Sequence, residues 1–140
     1  MGQATAEGDD TLTMRGVEHN GHEKLTLLEL VLQLQGEFRR SLEPIRVTPL
    51  QAGVILYRQR HIEAKLTDAA AALRVTQPTL SEVVKDLVRK RWVIKRRLHT
   101  DTSAVCLALS RQGEALPRRI EGQVRDVCSQ INYKIEAKQK

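Results

Sequence analysis

The 140-residue chain is long enough for one compact domain with a single core and an elongated helical extension, and too short for two comfortable independent domains. Hydrophobic residues at 41% and charged residues at 29% suit an ordinary soluble protein, whereas 3% aromatic residues leave little material for base-stacking platforms or aromatic ligand cages. With 23 Lys+Arg against 17 Asp+Glu the formal charge is +6 and the pI about 9.7, which points toward an anionic partner.

The charge is unevenly placed. Glu7, Asp9 and Asp10 lie near the N-terminus, while Lys85, Arg89, Lys90, Arg91, Lys95, Arg96 and Arg97 crowd one stretch opposed only by Glu82 and Asp86. Cys106 and Cys128 have no metal-ligand spacing and fit small buried hydrophobes in a reducing compartment, so a cytoplasmic protein is expected. No apolar run approaches the roughly 18 residues of a membrane span, and the N-terminus lacks the pattern of a signal peptide. No membrane association is expected.

Residues 1–22 carry no sustained apolar period and are expected to form a mobile tail. His19 and His22 could share a helical face, but nothing completes a metal site, so no metal or cofactor is expected. From Lys24 to Leu42 the residues Leu27, Leu28, Val31, Leu34, Phe38 and Leu42 recur at three- and four-residue steps, which predicts an amphipathic helix closed by Pro44. Thr48-Pro49-Leu50-Gln51 predicts a second helix start, with Thr48 as cap, Pro49 in the first helical position and Gln51 reaching back; this helix should run to about His61.

A short Ala-rich helix is predicted after Leu66, with Thr67 as its cap and Asp68 in its first turn, ending near Leu73. Thr76 should cap a fourth helix, tolerant of Pro78 in its first turn and running to about Arg91. Its Leu80, Val83, Val84, Leu87 and Val88 form an apolar stripe, while Gln77, Ser81 and Lys85 point the other way. Two β-prone runs, Trp92 to Leu98 and Val105 to Leu109, flank the turn-like His99 to Ser103 and predict a hairpin. Ser110 is the expected cap of a last helix whose seam is Leu116, Ile120, Val124, Val127, Ile131 and Ile135; Pro117 should kink it or delay its start.

Such a seam, together with Leu27, Val31 and Leu34, exceeds what one small domain can cover. Terminal helices 23–45 and 110–140 are therefore read as a homodimer interface, around a helix-turn-helix and hairpin over 46–109. The fold class expected is mainly α with a small β-hairpin wing (α+β).

Thr67 to Arg91 has the anatomy of a helix-turn-helix, and a basic hairpin beside it could follow a phosphate backbone or enter a minor groove. Double-stranded DNA is then the expected partner. Thr76 and Pro78 open the reading helix; Gln77 can bond an adenine edge, and Thr79 and Ser81 can meet bases or phosphates. Lys85, Arg89, Arg96 and Arg97 suit phosphates, and Glu82 is expected to pair with Lys85 or Arg89. A solvated charged face is the plain alternative for the basic cluster, and the cap, stripe and hairpin together weigh against it. No phosphate loop, carboxylate pair, nucleophile motif or zinc ligand set suggests an enzyme. A nonspecific basic nucleic-acid-binding or protein-interaction module is the competing reading.

These residues resemble the MarR family of bacterial regulators, through Thr48-Pro-Leu-Gln, the run LTDAAAALRVTQPTLS from Leu66 to Ser81, and Leu109-Ser-Arg-Gln-Gly. The resemblance covers nearly everything after Lys24. It implies a winged helix-turn-helix, a homodimer with interlocked terminal helices, and a pocket for a small-molecule effector, often aromatic or phenolic. Two positions depart from the pattern. Arg74 stands in the turn where Gly is common, and Ser103 stands where the wing of the family usually carries arginine; Arg96, Arg97 or His99 is expected to supply that contact.

Overall fold

The computed structural model describes the backbone of residues 17–98 and 104–139, and the side chains of residues 26–98 and 104–131. The chain divides into two units, residues 1–37 and 38–140. Helix α1 spans Val17–Leu42, so the helix starts earlier than Lys24 and residues 17–22 of the expected tail are helical; residues 1–16 and the side chains of His19 and His22 lie outside the described residues. In the first unit Leu27 and Val31 are 60% and 41% exposed, Leu28 and Leu32 are exposed as well, and Leu34 is half-buried.

In the second unit, Pro44 ends α1 through a 3-10 turn, Glu43–Ile45, closed by Arg46 in the left-handed region at φ 69°. Helix α2, Pro49–Arg60, starts as its capping box predicts: Gln51 N–H donates to Thr48 Oγ1 at 3.1 Å, and Thr48 N–H donates to Gln51 Oε1 at 3.0 Å. Helix α3, Leu66–Leu73, starts before Thr67, which corrects the expected cap. Lys65 takes the cap position because Asp68, three residues on, accepts its otherwise orphaned N–H at 3.3 Å.

Arg74 closes α3 at φ 59°. Val75 N–H returns to the Ala70 carbonyl at 3.0 Å and Arg74 N–H to Ala71 at 3.2 Å, a left-handed cap in which only one residue needs positive φ. Helix α4, Gln77–Arg89, ends the same way: Arg91 sits at φ 67° and Trp92 N–H bonds the Leu87 carbonyl at 3.1 Å.

Strands β1, Val93–Arg97, and β2, Val105–Leu109, pair antiparallel with Val93 opposite Leu109 and Arg97 opposite Val105. The expected turn between them, including His99 and Ser103, lies outside the described residues. Ser110 caps a 3-10 turn, Arg111–Gly113, and not the last helix directly. Helix α5, Leu116–Gln139, begins later, with Pro117 in its first turn where no hydrogen bond is lost. Gly113 has a separate constraint: a Cβ there would lie 2.1 Å from the Trp92 carbonyl oxygen.

One core joins Leu42, Ile45, Val47, α2, α3, the buried face of α4, Val93, Leu107 and the start of α5. Leu116 and Ile120 are buried in it, with Val124 packed against it, because α5 lies on α2. This corrects the reading of the seam as surface left over for a partner: its first part, and Val127, are covered by the chain itself. Ile131 is half-buried, and the side chain of Ile135 lies outside the described residues. Cys106 is buried as expected, whereas Cys128 is exposed. No helix among the described residues is long and apolar enough to cross a membrane.

Candidate nucleic-acid interface

The N-terminal turns of α4 present the predicted reading residues together. Leu80, Val84 and Leu87 are buried, and Gln77, Pro78, Thr79, Ser81 and Lys85 are exposed, the first three in the helix's opening turn and Ser81 and Lys85 one four-residue step apart. Thr76 serves as the cap: its hydroxyl oxygen accepts Thr79 N–H at 3.2 Å, and its proton goes to Thr79 Oγ1 at 2.9 Å. Thr79 thereby keeps its own hydroxyl proton and its methyl for a ligand.

Val88 departs from the predicted stripe. It is 38% exposed, seven residues after the exposed Ser81 and so on the same side of the helix. Glu82 pairs with Lys85 at 3.3 Å, and Arg89 pairs with Asp86 at 2.8 Å; both cations remain largely exposed, and such i,i+3 pairs are weak enough to exchange for phosphate. On β1 only Val93 is buried; Lys95, Arg96 and Arg97 are exposed and continue the positive surface from α4. His99 lies outside the described residues. Among the described residues no group of His, Cys, Asp and Glu could hold a metal.

What holds α4 in place was only half visible in the sequence. Gln51, recognisable as a capping residue, is 4% exposed, and its Nε2 donates to Asp86 Oδ2 on α4. Lys90 completes the group: its ammonium donates to the Arg46 carbonyl at 2.6 Å, lies 3.3 Å from Asp86 and 5.0 Å from the Trp92 ring centroid. The start of α2 is thus tied to the end of α4. The Gln51 hydrogen bond, aided by Lys90 and Arg89, holds the Asp86 carboxyl below the usual carboxylate range against a partial desolvation that acts the other way.

The hairpin is anchored at its base. Ser110 N–H donates to the Trp92 carbonyl at 3.0 Å, its hydroxyl donates to the Arg91 carbonyl and accepts Gly113 N–H at 3.2 Å. Arg58 Nε donates to the Leu107 carbonyl at 3.2 Å. The Leu109-Ser-Arg-Gln-Gly motif is therefore the hydrogen-bonded joint between hairpin and α5.

The MarR family model matches residues 47–102. No curated protein matches the chain. Among solved structures, a MarR transcriptional regulator from Methanosarcina mazei Go1 is similar at TM-score 0.71 and 14% identity, over 81% of each chain. Reduced AbfR bound to DNA is similar at TM-score 0.67 and 16% identity, over 87% of this chain and 89% of that one. CouR from Rhodococcus jostii RHA1, bound to p-coumaroyl-CoA, is similar at TM-score 0.68 and 14% identity, over 81% and 87%. At these identities the structures speak to the fold, which is that of a winged helix. The matched stretch runs from the residue before the α2 cap through α2, α3, α4 and β1, and over it the chain resembles the MarR family.

Proposed function

We propose that the protein is a sequence-specific, double-stranded DNA-binding transcriptional regulator that acts as a homodimer on an inverted repeat. The observation that carries this reading is the pairing of a capped, exposed α4 N-terminus, bearing Gln77, Thr79 and Ser81, with a basic hairpin next to it. Gln77 reads an adenine edge, Thr79 and Ser81 meet bases or phosphates, and Lys85, Arg89, Arg96 and Arg97 hold phosphates. The exposed Leu27, Leu28, Val31 and Leu32 of α1 support pairing with a second copy. Two equivalent reading helices about 34 Å apart then enter successive major grooves.

Repression follows from occlusion of the site by the bound dimer. An aromatic or phenolic effector that binds one separation of the reading heads better than another weakens DNA binding by its differential affinity; the p-coumaroyl-CoA bound to CouR supports this class of ligand. The test is selection from a pool of random duplexes across a salt series. An enriched inverted repeat, weakened by Gln77→Ala and Ser81→Ala, supports the reading. Steep salt dependence without any enriched sequence reduces the protein to a nonspecific binder, and absence of binding at low salt refutes both.

A further inference from the structure

Val88 and Ile94 are large apolar side chains left 38% and 49% exposed. With Lys85 and Lys95 they line one open cleft of about 380 Å³ between α4 and β1. Lysine stems are themselves apolar, so the cleft offers carbon along its length and positive charge only at the two ammonium tips.

We propose that this cleft grips the deoxyribose-phosphate backbone of one DNA strand, with Val88 and Ile94 against sugar C–H groups and Lys85 and Lys95 on the flanking phosphates. The proposal rests on the DNA-binding reading and adds a site to it. Gln77, Ser81 and Lys85 step along one face of α4, and Val88 follows three residues later. The cleft therefore continues the reading face toward β1, where a helix lying in the major groove meets the edge of that groove.

Charge selects the occupant. The two acidic groups nearest in sequence are both engaged, Asp86 with Arg89 at 2.8 Å and Lys90 at 3.3 Å, and Glu82 with Lys85 at 3.3 Å through an exposed pair that a phosphate can replace, so the cleft can offer two cations around a carbon surface. A backbone strand alternates apolar sugars with anionic phosphates, which is the chemistry that two cations beside a carbon surface complement. A protein segment of acidic and apolar residues would match it chemically, but it would have to displace DNA from the adjoining face of α4.

Salt dependence separates the two kinds of contact. Phosphate contacts release counterions, and a homodimer carries each lysine twice, so Lys85→Ala and Lys95→Ala should each reduce the slope of log affinity against log salt by about two. Sugar contacts release none. Val88→Ala/Ile94→Ala should weaken binding on the order of tenfold while the slope stays that of the wild type. The probe is a mixed-sequence duplex of about 30 base pairs, long enough for two reading heads, because a backbone grip needs no operator.

Should the alanine pair lower thermal stability, Val88→Thr/Ile94→Thr keeps the branched shape and is expected to lose affinity in the same way. Wild-type affinity in both double variants, or a loss accompanied by a reduced slope, overturns the proposal while leaving the DNA-binding reading intact. Absence of duplex binding by the wild-type chain overturns both.

Discussion

Gly113→Ala isolates the joint between the hairpin and α5. The added methyl would sit 2.1 Å from the Trp92 carbonyl oxygen, 2.9 Å from its carbonyl carbon and 3.1 Å from its Cα. All three are backbone atoms, so no side-chain rotation relieves the clash. Moving the Trp92 carbonyl away would break its bond from Ser110 N–H at 3.0 Å and disturb the neighbouring bond from the Ser110 hydroxyl to Arg91. Overpacking of this kind costs roughly 1–3 kcal/mol, and a lost hydrogen bond costs about 1 kcal/mol more. Alanine regains roughly 0.4–1 kcal/mol by restricting the unfolded chain. The net expectation is a destabilisation of about 1–3.5 kcal/mol, or a melting temperature lower by roughly 4–14 °C for a chain of this size.

Urea unfolding at matched protein concentration measures it, because self-association would make the midpoint concentration-dependent. The denaturant slope should be unchanged, since the native core is not opened. A loss below about 0.5 kcal/mol, the scatter of ordinary surface substitutions, would refute the argument from close approach.

Two further expectations follow from the turns and the polar tie. Arg74→Gly should be more stable than Arg74→Ala by about 1 kcal/mol, because both lose the same side chain and only glycine adopts φ 59° without a Cβ clash; equal unfolding midpoints would count against the left-handed turn. For Asp86, the folded carboxyl titrates below its unfolded value, so its contribution is present above the ordinary carboxylate range and is lost as pH falls through that range and then through the folded value. Asp86→Asn should therefore flatten the acid limb of urea midpoint against pH, and parallel acid limbs in variant and wild type would exclude the Gln51–Asp86 tie as a source of stability.

Local chemistry carried much of the fold in the linear chain. Thr48 and Gln51 cap α2 and Thr76 caps α4, because each of these interactions spans only a few residues and is specified by residue type; the left-handed turn at Arg74 was signalled only by its standing where glycine is common. The exposure of Ser81 and Lys85 was equally legible, since α-helical periodicity sets them off from Leu80 and Leu87, whereas Gln77, seven residues before the buried Val84, is exposed because it sits in the first turn.

Tertiary placement decided the rest. A capping glutamine looks the same in sequence whether its amide meets water or Asp86, thirty-five residues away. An apolar seam on α5 looks the same whether a partner or α2 covers it, and packing gave Leu116 and Ile120 to the chain's own core. Val88 was counted in the α4 stripe but stands outside the core, at the edge of the stripe on the side of Ser81, because how wide a stripe is buried depends on what packs against it. Period assigns a side chain to a face; only the neighbours in space determine whether that face is buried, paired or left open.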